Sequence, residues 1–293
     1  MDEVFPLTST PLAQASAGLS PSPLAGQGWG EGKSPSPLAG EGRGEGCLLN
    51  PIGLAAGYDR SGALLPEIAG HGFGFVELGT VTPQPVADHN PGVAALAASV
   101  ERWRAGAGRM RCAVGVSVGR QPGAPIEQAG RDFEEGMRAV WRCADYLAIN
   151  LSGPANRALL EAGHERGLRD ALQRVRERQE RLVVETGRRV PIFVKAPLLH
   201  GAETPVVRYC REIGFDGLIA ALEDLDRAEA TRVLNRLSRT LEGMTLIAVG
   251  GIRTAEHARA CFAAGAHLVQ IYRAYAEGGP RAVAALAGWC GPG

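Results

Sequence analysis

The chain has no excess of charge of either sign. Its 31 Lys and Arg residues balance 31 Asp and Glu residues over 293 positions, so the formal net charge is zero. A protein that binds nucleic acid or anionic lipid through charge needs a basic surface. The composition therefore predicts no nucleic-acid partner, and it leaves open a small-molecule substrate as the partner.

Long hydrophobic runs are also missing. Apolar runs such as residues 246–249 and 268–271 fall far short of the roughly 18 residues that cross a bilayer. The start of the chain lacks a basic segment followed by an apolar one, the pattern of a secretory signal. We expect no transmembrane segment and a cytoplasmic location.

Cysteine and histidine patterns exclude two further classes. The six cysteines form no Cys-x-x-Cys pair, and the six histidines show no metal-ligand spacing. We therefore expect neither a metal site nor a disulfide scaffold. Free cysteine is usually buried, so we interpret the thiols as small apolar core residues.

Residues 1–46 differ in composition from the remainder. The segment 20–32 recurs as 34–46 with only two differences, and glycine and proline dominate both copies. Burial cannot offset the entropy of ordering such a segment. We predict a disordered, low-complexity tail over 1–46, with a proline-rich partner-binding arm as the alternative, and one globular domain over 47–293.

Within that domain, short apolar runs alternate with segments of helical spacing. The helical spacing is clearest in residues 168–187 and 255–264. The candidate strands are 52–56, 75–78, 113–118, 146–151, 192–195, 217–221, 246–249 and 268–271. Eight continuous apolar strands separated by helices are typical of a parallel sheet, and this count and length favour a closed (β/α)₈ TIM barrel.

Ligands of such barrels bind at the loops after the strands. Gly250 and Gly251 follow the seventh strand, where glycine lets the backbone approach an anion, and Thr254 can cap the next helix. Tyr272 and Arg273 follow the eighth strand. The pattern favours a phosphate site over a mere tight turn.

Three other loops carry candidate ligand groups. Lys195 at the end of the fifth strand would need a charged or electron-rich partner in the barrel mouth. Asn150, Ser152 and Asn156 follow the fourth strand, and their amides can donate to and accept from a planar imide. After the first strand, the small residue Ala56 and its neighbours would let a flat ring lie against the backbone.

Several of these segments together resemble the dihydroorotate dehydrogenase family, specifically its quinone-linked class. The matching segments are 50–62, 72–83, 145–150, 191–197, 214–219 and 249–272, which follow in order and span nearly all of residues 48–280. The resemblance implies an FMN-containing barrel that oxidises dihydroorotate to orotate. It also implies quinone as electron acceptor and a peripheral position at the inner membrane.

The resemblance assigns roles by position. Lys195 would lie beside the flavin and stabilise its reduced form, and Asn150 would contact the substrate. The implied cofactor contacts are Ala56, Gly57, Gly79, Thr80, Lys195, Gly250, Gly251, Tyr272 and Arg273.

The chain departs from the family at the substrate end. Gly153 stands where the family has the Ser or Cys that removes a proton, which leaves Ser152 as a weak replacement. Ala155 replaces the family's asparagine unless Asn156 takes over its role. Ser117 stands where the family has another substrate asparagine, in the third strand. Residues 221–223, which end in Glu223, replace the family's Thr-Asn-Thr after the sixth strand, and Arg60 replaces a flavin-side lysine after the first strand.

These departures leave two alternatives open beside dihydroorotate oxidation. One is a flavin barrel that acts on a different small substrate, with Glu223 and Arg60 as new polar groups at the mouth and His200 as a new base. The other is a non-catalytic relative that binds a flavin or another phosphate ligand.

Overall fold

The protein folds as a closed barrel of eight parallel strands with helices between them. The structure, a computed structural model, describes residues 48–87, 90–106, 112–198 and 204–288. Each strand is hydrogen-bonded to the next, and β8 pairs with β1 to close the sheet. The predicted (β/α)₈ barrel is therefore confirmed, whereas the predicted tail over 1–46 lies outside the described residues.

The strands lie close to their predicted positions. Their bounds are β1 Ile52–Leu54, β2 Phe75–Val81, β3 Ala113–Val118, β4 Tyr146–Asn150, β5 Ile192–Pro197, β6 Gly217–Ala221, β7 Thr245–Val249 and β8 Leu268–Ile271. The largest difference is in β2, which continues three residues further than predicted. Gly79 and Val81 pair with β3, and the register shifts at Thr80 between them.

Helices follow the strands and pack around them. In the described part of the chain they are α1 Leu65–Ile68, α2 Val93–Gly106, α3 Ala129–Val140, α4 Pro154–Arg157, α5 Glu165–Thr186, α6 Pro205–Ile213, α7 Arg227–Thr240, α8 Ala255–Ala263 and α9 Arg273–Ala287. The two helices that the spacing predicts most clearly correspond to α5 and α8. Thr254 caps α8 as predicted, since its side chain accepts a hydrogen bond from the His257 main-chain N–H.

Aromatic rings fill one half of the barrel interior. Phe75, Tyr146 and Phe193 are fully buried near the starts of β2, β4 and β5, and Tyr146 packs edge-to-face against both phenylalanines. Gly115 on β3 makes room, because a Cβ there would lie 2.0 Å from the Tyr146 ring. With the amino-terminal half filled, space remains at the carboxyl ends of the strands.

Four of the cysteines belong to the described residues, and all four are free thiols. Cys112, Cys143 and Cys210 are buried and Cys261 is half-buried, as expected of small core residues. Cys47 and Cys290 lie outside the described residues. No helix of the described ranges is long and apolar enough to cross a membrane.

Candidate functional site

A cavity of about 610 Å³ opens at the carboxyl ends of the strands. This volume lies within the range of small-molecule and cofactor sites. Nearly all of the predicted site residues line it: Ala56, Gly57, Thr80, Asn150, Ser152, Gly153, Asn156, Lys195, Gly250, Gly251, Tyr272 and Arg273. The loops that the sequence analysis considered one by one therefore converge on one site.

A buried ion pair lies at the floor of this cavity. The Lys195 ammonium is 3.1 Å from Glu77 Oε1, and both side chains are almost wholly buried. Gln270 Nε2 donates to Glu77 Oε2 at 2.7 Å, and the Tyr146 hydroxyl donates to the same oxygen at 3.3 Å. The Glu77 carboxylate thus accepts hydrogen bonds from three side chains on three other strands.

This surrounding environment explains the protonation state of Tyr146. Burial raises the pKa of Tyr146 well above its ordinary value, and the neighbouring negative charge of Glu77 raises it further. The hydroxyl therefore keeps its proton and remains a donor to Glu77. Lys195 lines the cavity, and its contact with Glu77 on β2 fixes its position.

The loops after β7 and β8 form one end of the cavity. Gly250 has φ 105° and Gly251 has φ 68°, conformations that favour glycine. Helix α9 begins at Arg273, and no side chain caps its first turn. Main-chain N–H groups at such a helix start attract a phosphate, and the exposed Arg273 guanidinium adds positive charge.

The loop after β4 forms the other end. Asn150 Nδ2 donates to Thr80 Oγ1 at 2.7 Å, and Thr80 Oγ1 lies 2.9 Å from Ser117 Oγ. Ser152 Oγ donates to Asn150 Oδ1 at 2.7 Å, so this hydroxyl lines the cavity as a donor already engaged with Asn150. Gly153 follows it and also faces the cavity.

Asn156 lies beside this network, across from β3. It is 4% exposed, and its Oδ1 accepts the main-chain N–H of Arg120 at 3.0 Å. The Arg120 side chain donates to the Ala155 and Ala124 carbonyls, which ties the loop after β3 to the loop after β4. Asn156 thus reaches the cavity from a position one residue beyond Ala155.

The remaining candidates are less central. Arg60 and Glu223 line the cavity from exposed positions. Gly79 does not line the cavity; its carbonyl accepts the Gly57 N–H and supports the cavity wall from behind. His200 lies outside the described residues.

Sequence reasoning missed two functional residues, Glu77 and Arg120. Glu77 carried a usable signal, since it and Lys195 are the only charged residues within the eight described strands. A charge in an apolar strand needs a partner, so the two could have been paired. Arg120 carried no such signal, because it follows β3 in an ordinary polar loop.

The fold and cavity define a barrel protein of the enzyme type, with its site at the carboxyl ends of the strands. A family model described as dihydroorotate dehydrogenase matches residues 224–287. The chain is 36% identical over 279 residues to dihydroorotate dehydrogenase (quinone) of Stenotrophomonas maltophilia (strain R551-3), covering 80% of this chain and 78% of the relative. It is 35% identical over 286 residues to the protein of the same name from Flavobacterium lutescens, covering 82% and 79%.

Solved structures of dihydroorotate dehydrogenase share the fold of this chain. The ligand-free dihydroorotate dehydrogenase of Eimeria tenella superposes with a TM-score of 0.72 at 25% identity and covers 87% of both chains. The same Eimeria tenella protein in complex with ferulenol gives a TM-score of 0.70 at 26% identity, covering 81% of this chain and 79% of that chain. The chain therefore belongs to the dihydroorotate dehydrogenase family, whose members are flavin-dependent oxidoreductases acting on CH–CH groups.

Proposed function

We propose that the cavity binds FMN and that the protein oxidises dihydroorotate to orotate, with quinone as the electron acceptor at a membrane surface. The observation that carries this proposal is the combination of two opposite cavity ends with a paired lysine between them. β4 and β8 are four strands apart in either direction round the closed barrel. A ligand with a phosphate at one end and a ring at the other fits such a cavity.

The residues present suit FMN. Gly250, Gly251, Tyr272 and Arg273 would hold the phosphate, because their loops provide main-chain N–H groups and a cation. Ala56 and Gly57 would lie against the ring, since their small side chains leave the backbone accessible. Thr80 and Lys195 complete the set of proposed contacts, with Gly79 supporting Gly57.

FMN, when bound, would accept the hydride that leaves the substrate. Lys195 would stabilise the negative charge that collects on the ring, with its ammonium held in place by Glu77. Asn150 and Asn156 would orient the substrate, because each directs its amide nitrogen towards the Gly153 side of the cavity. Quinone remains part of the proposal through the named function of the relatives.

An absorbance spectrum of the purified protein tests this proposal. We expect flavin bands, their bleaching by dihydroorotate in a stopped-flow experiment, and their return on adding a soluble quinone. FMN at a hundred times its Kd should raise stability by about 2.7 kcal/mol in a thermal melt. Colourless protein whose melting temperature FMN leaves unchanged would contradict the proposed cofactor.

A matched pair of variants locates the phosphate. Arg273→Ala should weaken FMN binding by about 10- to 150-fold, since a hydrogen bond to a charged group contributes about 1.5–3 kcal/mol. Arg281→Ala removes the same charge from the part of α9 beyond its kink at Gly279, at an exposed position outside the cavity lining. Equal affinities of the two variants would place the phosphate elsewhere.

The substrate end supports a second candidate, a flavin barrel that acts on another small substrate. Ser117 is fully buried and its hydroxyl is hydrogen-bonded to Thr80. It therefore offers a substrate no hydrogen-bonding group in place of the asparagine that the family has there. Glu223 adds a carboxylate to the lining. Yellow protein that dihydroorotate fails to bleach, and that another small reductant bleaches, would favour this candidate.

A further inference from the structure

The backbone conformation of Gly153 does not require glycine, and the absence of a side chain there leaves an open space. Its φ of −67° and ψ of 150° are accessible to any residue. A Cβ built there would meet only Asn156 Nδ2 at 3.5 Å and Asn150 Nδ2 at 3.6 Å, both ordinary contacts. The missing side chain therefore creates a small space facing the cavity, flanked by two amide nitrogens. We call it the Gly153 space.

The main chain fixes the orientation of both amides. The Arg120 N–H donates to Asn156 Oδ1 at 3.0 Å, and the Ser152 N–H donates to Asn150 Oδ1 at 2.9 Å. Each oxygen is thereby turned to the backbone and each NH₂ group to the cavity. Both side chains are more than nine-tenths buried.

Counting hydrogens shows how many donors remain. Asn150 Nδ2 donates one of its two hydrogens to Thr80 Oγ1. No described residue accepts a hydrogen bond from Asn156 Nδ2. Three N–H bonds are thus available beside the Gly153 space. These hydrogens face the cavity, so a ligand that brings acceptor oxygens can bind to them.

The charge of the cavity favours an anionic acceptor. Glu223 is the single carboxylate of the lining, and Glu77 and Glu277 outside it pair with Lys195 and Arg253. The basic side chains that line the cavity still outnumber these carboxylates; they are Arg60, Arg120, Lys195, Arg253 and Arg273. Glu223 follows β6, two strands from β4, and its neighbour Asp224 lies 3.5 Å from Arg157 in the loop after β4. The main chain of Glu223 lies against Gly250 after β7, where a Cβ on Gly250 would come within 2.4 Å of Glu223 N.

The proposed reaction requires a proton acceptor at this end of the cavity. Oxidation of a CH–CH bond to C=C removes a hydride and a proton, and the proton needs a base. The described cavity lining contains no histidine, and Ser152 Oγ is a donor to Asn150. Since two N–H donors would occupy the lone pairs of a water molecule, a water in the Gly153 space would be a poor base.

We propose that the Gly153 space binds a small carboxylate, such as formate, through Asn150 Nδ2 and Asn156 Nδ2, and that this ion is the proton acceptor. Each amide donates one N–H to a carboxylate oxygen, and the third N–H stays available to the substrate. The carboxylate would take the proton from the substrate carbon, and FMN, when bound, would supply the acceptor for the hydride. The resulting carboxylic acid then loses its proton to solvent. Binding of the ion stands on the geometry alone, whereas its catalytic role rests on the proposed function.

Two measurements on the FMN-saturated protein test the proposal. The first is a thermal melt with increasing sodium formate, with sodium chloride at equal ionic strength as control. The second is the rate of flavin bleaching by dihydroorotate at the same formate concentrations. We expect a saturable rise in melting temperature and a saturable rise in rate of about 10²-fold, the usual contribution of a general base.

Variants assign both effects to this space. Asn156→Asp keeps an acceptor for the Arg120 N–H but replaces the NH₂ donor with an oxygen, so it should abolish formate binding. Gly153→Ala should fill the space, and Gly153→Asp should bring its own carboxylate and bleach rapidly without formate. Gly167→Ala, at an exposed glycine in α5, should respond to formate as the parent chain does.

The outcomes separate the two proposals. The proposed site is wrong if Asn156→Asp and Gly153→Ala respond to formate as the parent chain does. It is also wrong if formate changes neither the melting temperature nor the bleaching rate of the parent chain. Bleaching that is absent from every variant contradicts dihydroorotate oxidation instead. In that case the melt still decides whether the Gly153 space binds formate.

Discussion

At the scale of single residues, the site depends on a charge pair that crosses the barrel. Glu77 and Lys195 lie 3.1 Å apart with side chains almost fully buried. Removing one partner of a buried pair leaves a charge without compensation, which typically costs about 3–5 kcal/mol. We expect Glu77→Gln to lower the free energy of unfolding by about 3 kcal/mol in urea titrations, although glutamine keeps the shape and one acceptor oxygen.

A double-mutant cycle separates this pairing from general packing. Lys195→Met should also destabilise, and the double variant Glu77→Gln/Lys195→Met should recover part of the loss, because no uncompensated charge remains. Strictly additive losses would show that the two side chains act independently and that the pair does not hold Lys195 in place.

At the scale of elements, the loops after β6 and β7 pack too closely for a side chain at Gly250. With φ 105°, a Cβ there would lie 2.4 Å from Glu223 N and 2.9 Å from Glu223 Cα. Both are backbone atoms, so the loop itself must move. We expect Gly250→Ala to lower the free energy of unfolding and to weaken FMN binding.

Gly251→Ala is the control for this substitution. Gly251 also has a positive φ, 68°, but its Cβ would meet nothing within 4 Å. It should show only the conformational cost, about 1–2 kcal/mol, whereas Gly250→Ala adds about 1–3 kcal/mol of overlap. Equal denaturation midpoints for the two variants would mean that the contact with Glu223 is unimportant.

Individual elements could be predicted from the sequence because each leaves a local signal. β3 and β6 match their predicted bounds, since both are apolar runs with clear ends. Thr254 was predicted as a cap because a hydroxyl stands directly before a helical pattern. The extension of β2 was missed, because Gly79 and Thr80 interrupt the apolar run and only the neighbouring β3 ladder carries the strand past them.

At the scale of the whole molecule, barrel closure decides which loops meet. Each loop's chemistry was visible in the sequence, and the parallel barrel placed all of these loops at one end. Distances across the interior were not visible. Glu77 on β2, Lys195 on β5 and Gln270 on β8 meet only because the closed sheet brings distant strands together. The bond from Arg120 to Asn156 likewise arises from loop folding that no local pattern encodes.

The four described thiols together make the free energy of unfolding of the whole chain depend on pH. Burial raises the pKa of Cys112 to about 12 and the pKa of Cys143 and of Cys261 to about 11, and burial also raises the pKa of Cys210. In the unfolded chain a thiol has a pKa near 8.5. Above about pH 8.5 the unfolded chain therefore releases protons that the native protein retains, and stability must fall as pH rises.

We expect this loss to approach about 1.4 kcal/mol per pH unit for each of the four thiols once the unfolded thiols ionise, and to become small below about pH 7.5. Urea midpoints measured between pH 7 and pH 9 test it, below the range where unfolded tyrosines, with a pKa near 10, contribute. Cys210→Ala should be less stable at pH 7 because it loses buried sulfur, yet its stability should decline less steeply with pH, since one titrating thiol is gone. A decline of equal slope in both proteins would show that the Cys210 thiol does not hold its proton through folding.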